Sequence, residues 1–176
     1  EERLARFYQE ELMTHPDQVL FTSSFGVTSG ILLHMISRIQ PRQKIYFLNT
    51  GFHFEETLHY KEVLKKRLQL KVIDLFPEGY KHQYSRKEQL WLIDPDFCCS
   101  INKMEPLEPV KKEADFWISG LMHWQNQNRG NLNIFEVKDG ILKFYPLLDM
   151  AEEEAYQYLH HYEIPEHPLH DQGYES

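Results

Sequence analysis

Short apolar runs alternate with stretches whose apolar residues fall at helical spacing, and this alternation limits the possible folds more than any other feature. Val19-Leu20-Phe21-Thr22, Lys44-Ile45-Tyr46-Phe47-Leu48, Lys71-Val72-Ile73-Asp74-Leu75 and Phe116-Trp117-Ile118-Ser119-Gly120 read as strands. Between the first two, Val27, Ile31, Leu32, Met35, Ile36 and Ile39 form a helical stripe that Pro41 ends. Residues 54–70 predict a charged helix with Leu58, Val63, Leu64 and Leu68 inward. Residues 79–92 and 151–162 predict two more, and Leu4, Phe7, Tyr8 and Leu12 predict one before the His15-Pro16-Asp17 break. Residues 95–109 hold a cysteine pair and a helix start. Lys138-Asp139-Gly140, flanked by 132–137 and 141–145, predicts a hairpin, and His167 to Ser176 reads as loop.

This order implies an α/β fold, a parallel-rich sheet with helices on both faces. With no repeat, low-complexity stretch or linker, residues 1–176 are expected to form a single domain. Ligands of such sheets sit at the carboxyl ends of the strands. That puts three turns on one rim: 23–29, 49–54 and 120–129.

Charge and composition remove whole classes of function. Lys+Arg is 19 and Asp+Glu is 27, so the formal net charge is 19 − 27 = −8, which argues against a general nucleic-acid binder. No apolar run approaches the roughly 18 residues of a membrane span, so no membrane partner is expected. The only cysteines, Cys98 and Cys99, are adjacent; this is no secreted disulfide pattern, and a reducing cytoplasm is the expected location. The chain opens on Glu1 rather than Met and closes at Ser176 in loop-type sequence, which suggests a fragment of a longer protein. A homo-oligomer is left open.

The first rim turn, Ser23-Ser24-Phe25-Gly26, leads from a strand into a helix that opens with Thr28 and Ser29. Helix N-termini attract phosphate and sulfate, Gly26 permits close backbone approach, and the hydroxyls of Ser23, Ser24, Thr28 and Ser29 add donors. A plain strand-to-helix turn with serine capping is the competing reading. Neither a Walker A loop nor a dinucleotide fingerprint is present. Asn49-Thr50-Gly51 reads as ordinary turn chemistry or as a second anion contact.

Cys98 and Cys99 are either buried small apolar groups or a pair of thiolate ligands, and two thiolates do not complete a zinc or iron–sulfur site. Lys103 would then place a cation near that centre. In the polar segment after Gly120, Gln125 and Arg129 are candidate ligand contacts, Arg129 as a bidentate phosphate or sulfate clamp or as an exposed loop arginine. His160, His161, His167 and His170 match no zinc spacing and read as an exposed helix end. Glu152-Glu153-Glu154 reads as the acidic start of a helix.

Taken in order, these segments resemble the assimilatory phosphosulfate reductases, which reduce adenosine 5′-phosphosulfate (APS) or its 3′-phosphorylated form (PAPS) to sulfite. Ser24-Phe25-Gly26 resembles that family's modified pyrophosphatase loop. The segment from Leu48 to Thr57 resembles its Asp-Thr-Gly…Phe-Pro-Glu-Thr stretch. Lys103-Met104-Glu105-Pro106-Leu107 resembles Lys-Val-Glu-Pro-Leu, and Gly120-Leu121…Gln125…Arg129 resembles Gly-Leu-Arg-Arg-x-Gln-Ser-x-x-Arg. The segment from His167 to Tyr174 resembles His-Pro-Leu-Trp-Asp-x-Gly-Tyr. Asn49 stands where the family has Asp, Met122 and His123 where it has two arginines, and Asn126 where it has Ser.

The resemblance implies an adenine nucleotide alpha-hydrolase-like fold and a sulfonucleotide site. The implied substrate-binding residues are Ser23, Ser24, Phe25, Gly26, Thr28, Asn49, Thr50, Gly51, Lys103, Gly120, Gln125 and Arg129. It also implies that Cys98 and Cys99 supply part of the ligand set of a four-iron four-sulfur (4Fe-4S) cluster in the full-length protein, as in the APS-type enzymes. A second cysteine pair and the catalytic cysteine would lie beyond Ser176. That cysteine would attack the substrate sulfur, release AMP and form an enzyme S-sulfocysteine, from which thioredoxin or a similar thiol frees sulfite. A PAPS reductase, an ATP pyrophosphatase-type adenylyl transferase and a non-catalytic nucleotide-binding paralogue are the alternatives.

Overall fold

A computed structural model describes residues 1–10, 18–126 and 131–174. Its centre is a six-stranded sheet of β1 (Val19–Thr22), β2 (Lys44–Leu48), β3 (Lys71–Leu75), β4 (Phe116–Ile118), β5 (Phe135–Lys138) and β6 (Ile141–Phe144). The order is β3-β2-β1-β4-β6-β5. All pairs are parallel except β5 with β6. The sheet grows outward from β1 in both directions, so the order reverses between β1 and β4. At such a reversal the connections leave a crevice at the carboxyl ends of the strands.

The helices are α1 (Glu2–Glu10), α2 (Ser29–Ile39), α3 (Glu55–Arg67), α4 (Gly79–Lys87), α5 (Leu90–Ile93), α6 (Pro95–Cys99), α7 (Glu105–Lys112) and α8 (Glu152–His161). Helices α2 and α3 pack on one face, and the α4–α7 connection returns from the edge strand β3 to β4. On the first face Phe21, Ile45, Phe47, Ile118 and Phe144 are buried against Ile31, Ile36, Leu64 and Leu159. Gly30 lets α2 approach closely: a Cβ there would lie 2.7 Å from Ile164 Cγ2. Among the described residues no helix is long and apolar enough to cross a membrane.

Strands β1, β2 and β3 run over the residues the sequence indicates, and β4 ends two residues early, at Ile118. Asp139 and Gly140 both have positive φ (55° and 77°), the backbone of a tight two-residue hairpin turn. The helix expected over 79–92 is instead two, because Gln89 takes a left-handed conformation (φ 51°) between α4 and α5. In α3 the buried positions are Thr57, Tyr60, Lys61 and Leu64, whereas Val63 is half-buried. Leu12 lies outside the described residues. Between α6 and α7 the chain widens into a π-helical turn over Ser100–Met104, a distortion that is frequent at functional sites.

Candidate functional site

The residues after β1 enter α2 through a left-handed Phe25 (φ 54°). Its ring is fully buried and meets Phe47 edge-on at 5.6 Å, so Phe25 offers a ligand backbone and not side chain. The Ser23 hydroxyl accepts the Phe25 N–H at 3.2 Å, and the Ser29 hydroxyl donates to the Gly26 carbonyl at 2.6 Å. Thr28 stands at the N-cap of α2, yet its hydroxyl makes no capping bond. It accepts from Gln125 Nε2 at 2.8 Å instead, while Gln125 Oε1 accepts the Met122 N–H at 3.2 Å. One side chain from beyond β4 therefore braces the helix start, and the sequence reading of serine capping is replaced by a tertiary brace.

Three cavities surround this turn. The first, about 250 Å³, lies in the crevice between β1 and β4 and is lined by Ser23, Ser24, Gly26, Thr28, Trp117, Gly120 and Gln125 among others. The second, about 170 Å³, shares Thr28 and Gln125 with it and adds Trp124, Glu152, Tyr156, His170 and Tyr174. Among the described residues, Trp124 Nε1 and His170 Nδ1 there are buried atoms without a hydrogen-bond partner, and the nearest carboxylates to His170 Nδ1, of Asp171 and Glu166, are 3.7 and 3.8 Å away. The third, about 380 Å³, shares Ser24 with the first and Tyr174 with the second, and is lined by Thr50, Phe52, His53, Cys98, Cys99, Asn102 and Lys103. Six separated stretches of sequence thus converge on one rim.

The second rim turn is tied down on both sides. Asn49 donates its backbone N–H to Leu75 O at 2.8 Å and its side-chain amide to Asp74 Oδ2 at 3.1 Å. Thr50 is buried, and its hydroxyl accepts the Phe52 N–H at 3.3 Å. Gly51 has φ 72°, and a Cβ there would come within 3.1 Å of the His82 ring, so the turn needs glycine on two counts.

Cys98 is buried and Cys99 exposed. Cys98 Sγ lies 3.5 Å from Ser85 Oγ and 3.6 Å from Asn102 Nδ2. Asn102 is buried, donates to Ser85 Oγ and to Cys98 O at 2.9 Å each, and accepts through Oδ1 from His82 Nδ1 at 2.9 Å. The sequence reading missed His82, Ser85 and Asn102; the one available signal was Asn102 standing beside Lys103. Lys103 is exposed on the rim and is the only lysine or arginine among the described residues lining the three cavities.

Met122 is buried in the core and His123 is exposed with Nε2 3.2 Å from Leu132 O, and neither side chain lines these cavities. Arg129 lies outside the described residues. His167, read from sequence as part of an exposed helix end, is buried. Its Nδ1 accepts the Leu169 N–H at 3.1 Å, so Nε2 carries the proton and donates to Thr57 Oγ1 at 3.1 Å. This bond fastens the segment carrying Tyr174 to the start of α3.

The two cysteines are the candidate cluster ligands. Among the described residues no three His, Cys, Asp or Glu side chains come together as a metal-binding group. A four-iron cluster takes four protein ligands. The described residues therefore do not hold such a group by themselves, although both thiols line one cavity.

Residues 18–176 match the family described as the phosphoadenosine phosphosulfate reductase domain. The chain is 34% identical over 165 residues to the phosphoadenosine 5′-phosphosulfate reductase of Gloeobacter violaceus, covering 91% of this chain and 68% of the relative. It is 33% identical over 167 residues to the adenosine 5′-phosphosulfate reductase of Bacillus mycoides, covering 92% and 71%. Its fold is similar to that of phosphoadenylyl-sulfate (PAPS) reductase from Candida auris in a phosphate complex, with a TM-score of 0.75 at 22% identity over 100% of this chain and 93% of that one. With these matches on a parallel-rich α/β sheet of the adenine nucleotide alpha-hydrolase-like kind, this chain belongs to the phosphoadenosine phosphosulfate reductase family of oxidoreductases.

Proposed function

We propose that this chain is the sulfonucleotide-binding core of an assimilatory reductase and that it takes APS in preference to PAPS. The observation that carries the reading is the convergence of Ser24, Thr50, Cys98, Cys99, Lys103 and Tyr174 on one cavity beside the β1–β4 crevice. In this reading the adenosine lies in the uncharged crevice and the phosphosulfate reaches toward Lys103. The N–H groups at the start of α2 and the Ser23, Ser24 and Thr28 hydroxyls hold the phosphate oxygens. Asn49, Thr50, Gly51, Gly120, Gln125 and Arg129 complete the binding set. The preference for APS follows from charge. A 3′-phosphate adds close to two negative charges, and Lys103 is the one Lys or Arg among the described cavity residues.

The chemistry proposed for the full-length protein is two thiol displacements. A thiolate from a segment C-terminal to Ser176 attacks the sulfur of the phosphosulfate, the S–O bond breaks, and AMP leaves with the electron pair. The resulting S-sulfocysteine is attacked at its cysteine sulfur by a thiol of thioredoxin type, which forms a disulfide and releases sulfite. Two thiols are oxidised, and the sulfur of the sulfo group is reduced by two electrons. Residues of this chain bind and orient the nucleotide and stabilise charge on the departing phosphate. Cys98 and Cys99 would contribute two of the four ligands of a 4Fe-4S cluster whose other two come from outside the described residues. A cytoplasmic setting suits such a thiol-driven reaction.

Calorimetric titration with APS, PAPS and ATP, without added magnesium, tests the reading. APS is expected to bind tightest. Binding of ATP alone would point to an adenylyl transferase, and binding of none of the three would overturn the assignment of the site.

A further inference from the structure

Behind the Asn49-Thr50-Gly51 turn, a buried lysine pairs with a half-buried aspartate. Lys61, midway along α3, has only 7% of its side chain exposed. Its ammonium is 2.9 and 2.7 Å from the two carboxylate oxygens of Asp74, the penultimate residue of β3. It also lies 4.7 Å from the centroid of the Phe47 ring and 3.5 Å from the exposed carboxylate of Glu62. The same Asp74 carboxylate accepts the Asn49 side-chain amide at 3.1 Å. Ammonium, carboxylate, amide and turn thus form one continuous series.

Asp74 keeps 24% of its side chain exposed, but taking the Lys61 ammonium out of water still costs desolvation free energy, so the pair is weak support for bulk stability and a better candidate for fixing geometry. The geometry fixed here is that of Asn49. An ionised carboxylate only accepts, so the group at position 49 must donate, and an amide does. A second carboxylate there would face the first at hydrogen-bond distance, and one of the two would have to take up a proton. With its backbone N–H also bound to Leu75 O, Asn49 is held to β3 through both main chain and side chain. Thr50 and Gly51 follow directly, and Thr50 lines the cavity shared with Lys103.

We propose that Lys61 and Asp74 are positioning residues for the substrate turn, acting through the Asn49 amide; this rests on the reading of the turn as a sulfonucleotide contact. The pair accounts for a side chain that donates, rather than a carboxylate, at position 49. The acid sits one strand over, at Asp74, and Lys61 neutralises it, which leaves no free carboxylate at the turn to repel an anionic substrate.

The test uses this chain and the variants Asn49→Asp, Asp74→Asn, the double variant of both, and Lys61→Met. Calorimetry with APS reads binding, thermal unfolding reads stability, and hydrogen exchange of the amides of residues 49–52 reads the turn. Asn49→Asp is expected to weaken APS binding about tenfold or more near neutral pH. The double variant exchanges donor and acceptor between the two positions, and is expected to recover part of the binding that Asn49→Asp loses. Lys61→Met is expected to speed exchange at the turn and weaken binding. Should Lys61→Met fail to fold, the Asn49→Asp variant and its double decide the question, since both keep the lysine. A wild type that binds APS beside an Asn49→Asp variant that binds equally well, or a double variant no better than Asn49→Asp, overturns the positioning role. A wild type that binds no sulfonucleotide overturns the proposed function instead. The exchange rates then judge the pair alone, and an unchanged turn in Asn49→Asp removes it.

Discussion

Gln125 joins the end of β4 to the start of α2 by donating its side-chain amide to the Thr28 hydroxyl at 2.8 Å. The same side chain accepts the Met122 N–H, so truncation leaves an amide and a hydroxyl short of partners. Gln125→Ala is expected to cost about 1–2 kcal/mol of stability and to weaken APS binding. Gln125→Glu separates the two effects. The Thr28 hydroxyl can donate to the new carboxylate, so stability falls less, but an added negative charge faces the anion cavity and binding falls more. Urea unfolding beside calorimetry reads both quantities. Equal binding by Gln125→Glu and wild type would remove Gln125 from the site.

The two cysteines differ in access, although they are neighbours in sequence. Cys99 is exposed, whereas Cys98 is buried beside Ser85 and Asn102. Iodoacetamide is expected to label Cys99 quickly and Cys98 at least about tenfold more slowly, because labelling of a buried thiol waits on local opening. Mass spectrometry of the Cys98→Ser and Cys99→Ser variants assigns the two rates. Matching rates would contradict the burial of Cys98 in the Asn102 network.

The strands were legible because each is a short apolar run bounded by turn residues, and the hairpin because Asp139-Gly140 favours positive φ. The rim turns followed from the fold class alone, since an open parallel sheet puts its binding loops at the carboxyl ends of its strands. The break at Gln89 was not legible, because a left-handed glutamine leaves no glycine or proline as a signal. Lys61 and His167 were hidden for a different reason. A charged or polar side chain is read as exposed unless its partners are known, and those partners, Asp74 and Thr57, are 13 and 110 residues away. The sequence alone showed the cysteine pair, but only the structure shows one thiol held by Asn102 and the other exposed.

Gly30 is a packing glycine in the first turn of α2. A Cβ would stand 2.7 Å from Ile164 Cγ2 and 3.2 Å from the Tyr60 hydroxyl, which donates to Pro165 O at 2.9 Å. Gly30→Ala gains up to about 1 kcal/mol of helix propensity. Overpacking costs about 1–3 kcal/mol, so net destabilisation is expected. The two sites are coupled: Ile164→Ala should cost less in the Gly30→Ala background than in wild type, as urea unfolding of the four proteins reads. Additive losses would show that α2 does not meet Ile164 closely.

Stability is expected to fall on mild acidification through His167. Burial lowers its pKa from the ordinary value near 6.5, partly opposed by Glu56 and assisted by His170. Its Nδ1 accepts the Leu169 N–H, so a proton added there displaces that bond and sets two donors against each other. With the folded value below the unfolded one, the contribution is complete above about pH 6.5. Below that pH the unfolded chain takes up a proton that the folded chain refuses, and the contribution shrinks until the pH passes the folded value. His167→Asn keeps a polar side chain but does not titrate. The melting temperature of wild type relative to this variant is therefore expected to fall between pH 7.5 and 5. Parallel curves across that range would show that His167 is not held neutral. If the difference does fall, the Leu169 N–H···Nδ1 bond at the start of the Tyr174 segment is the bond acid releases, and APS affinity measured over the same range should decline with it.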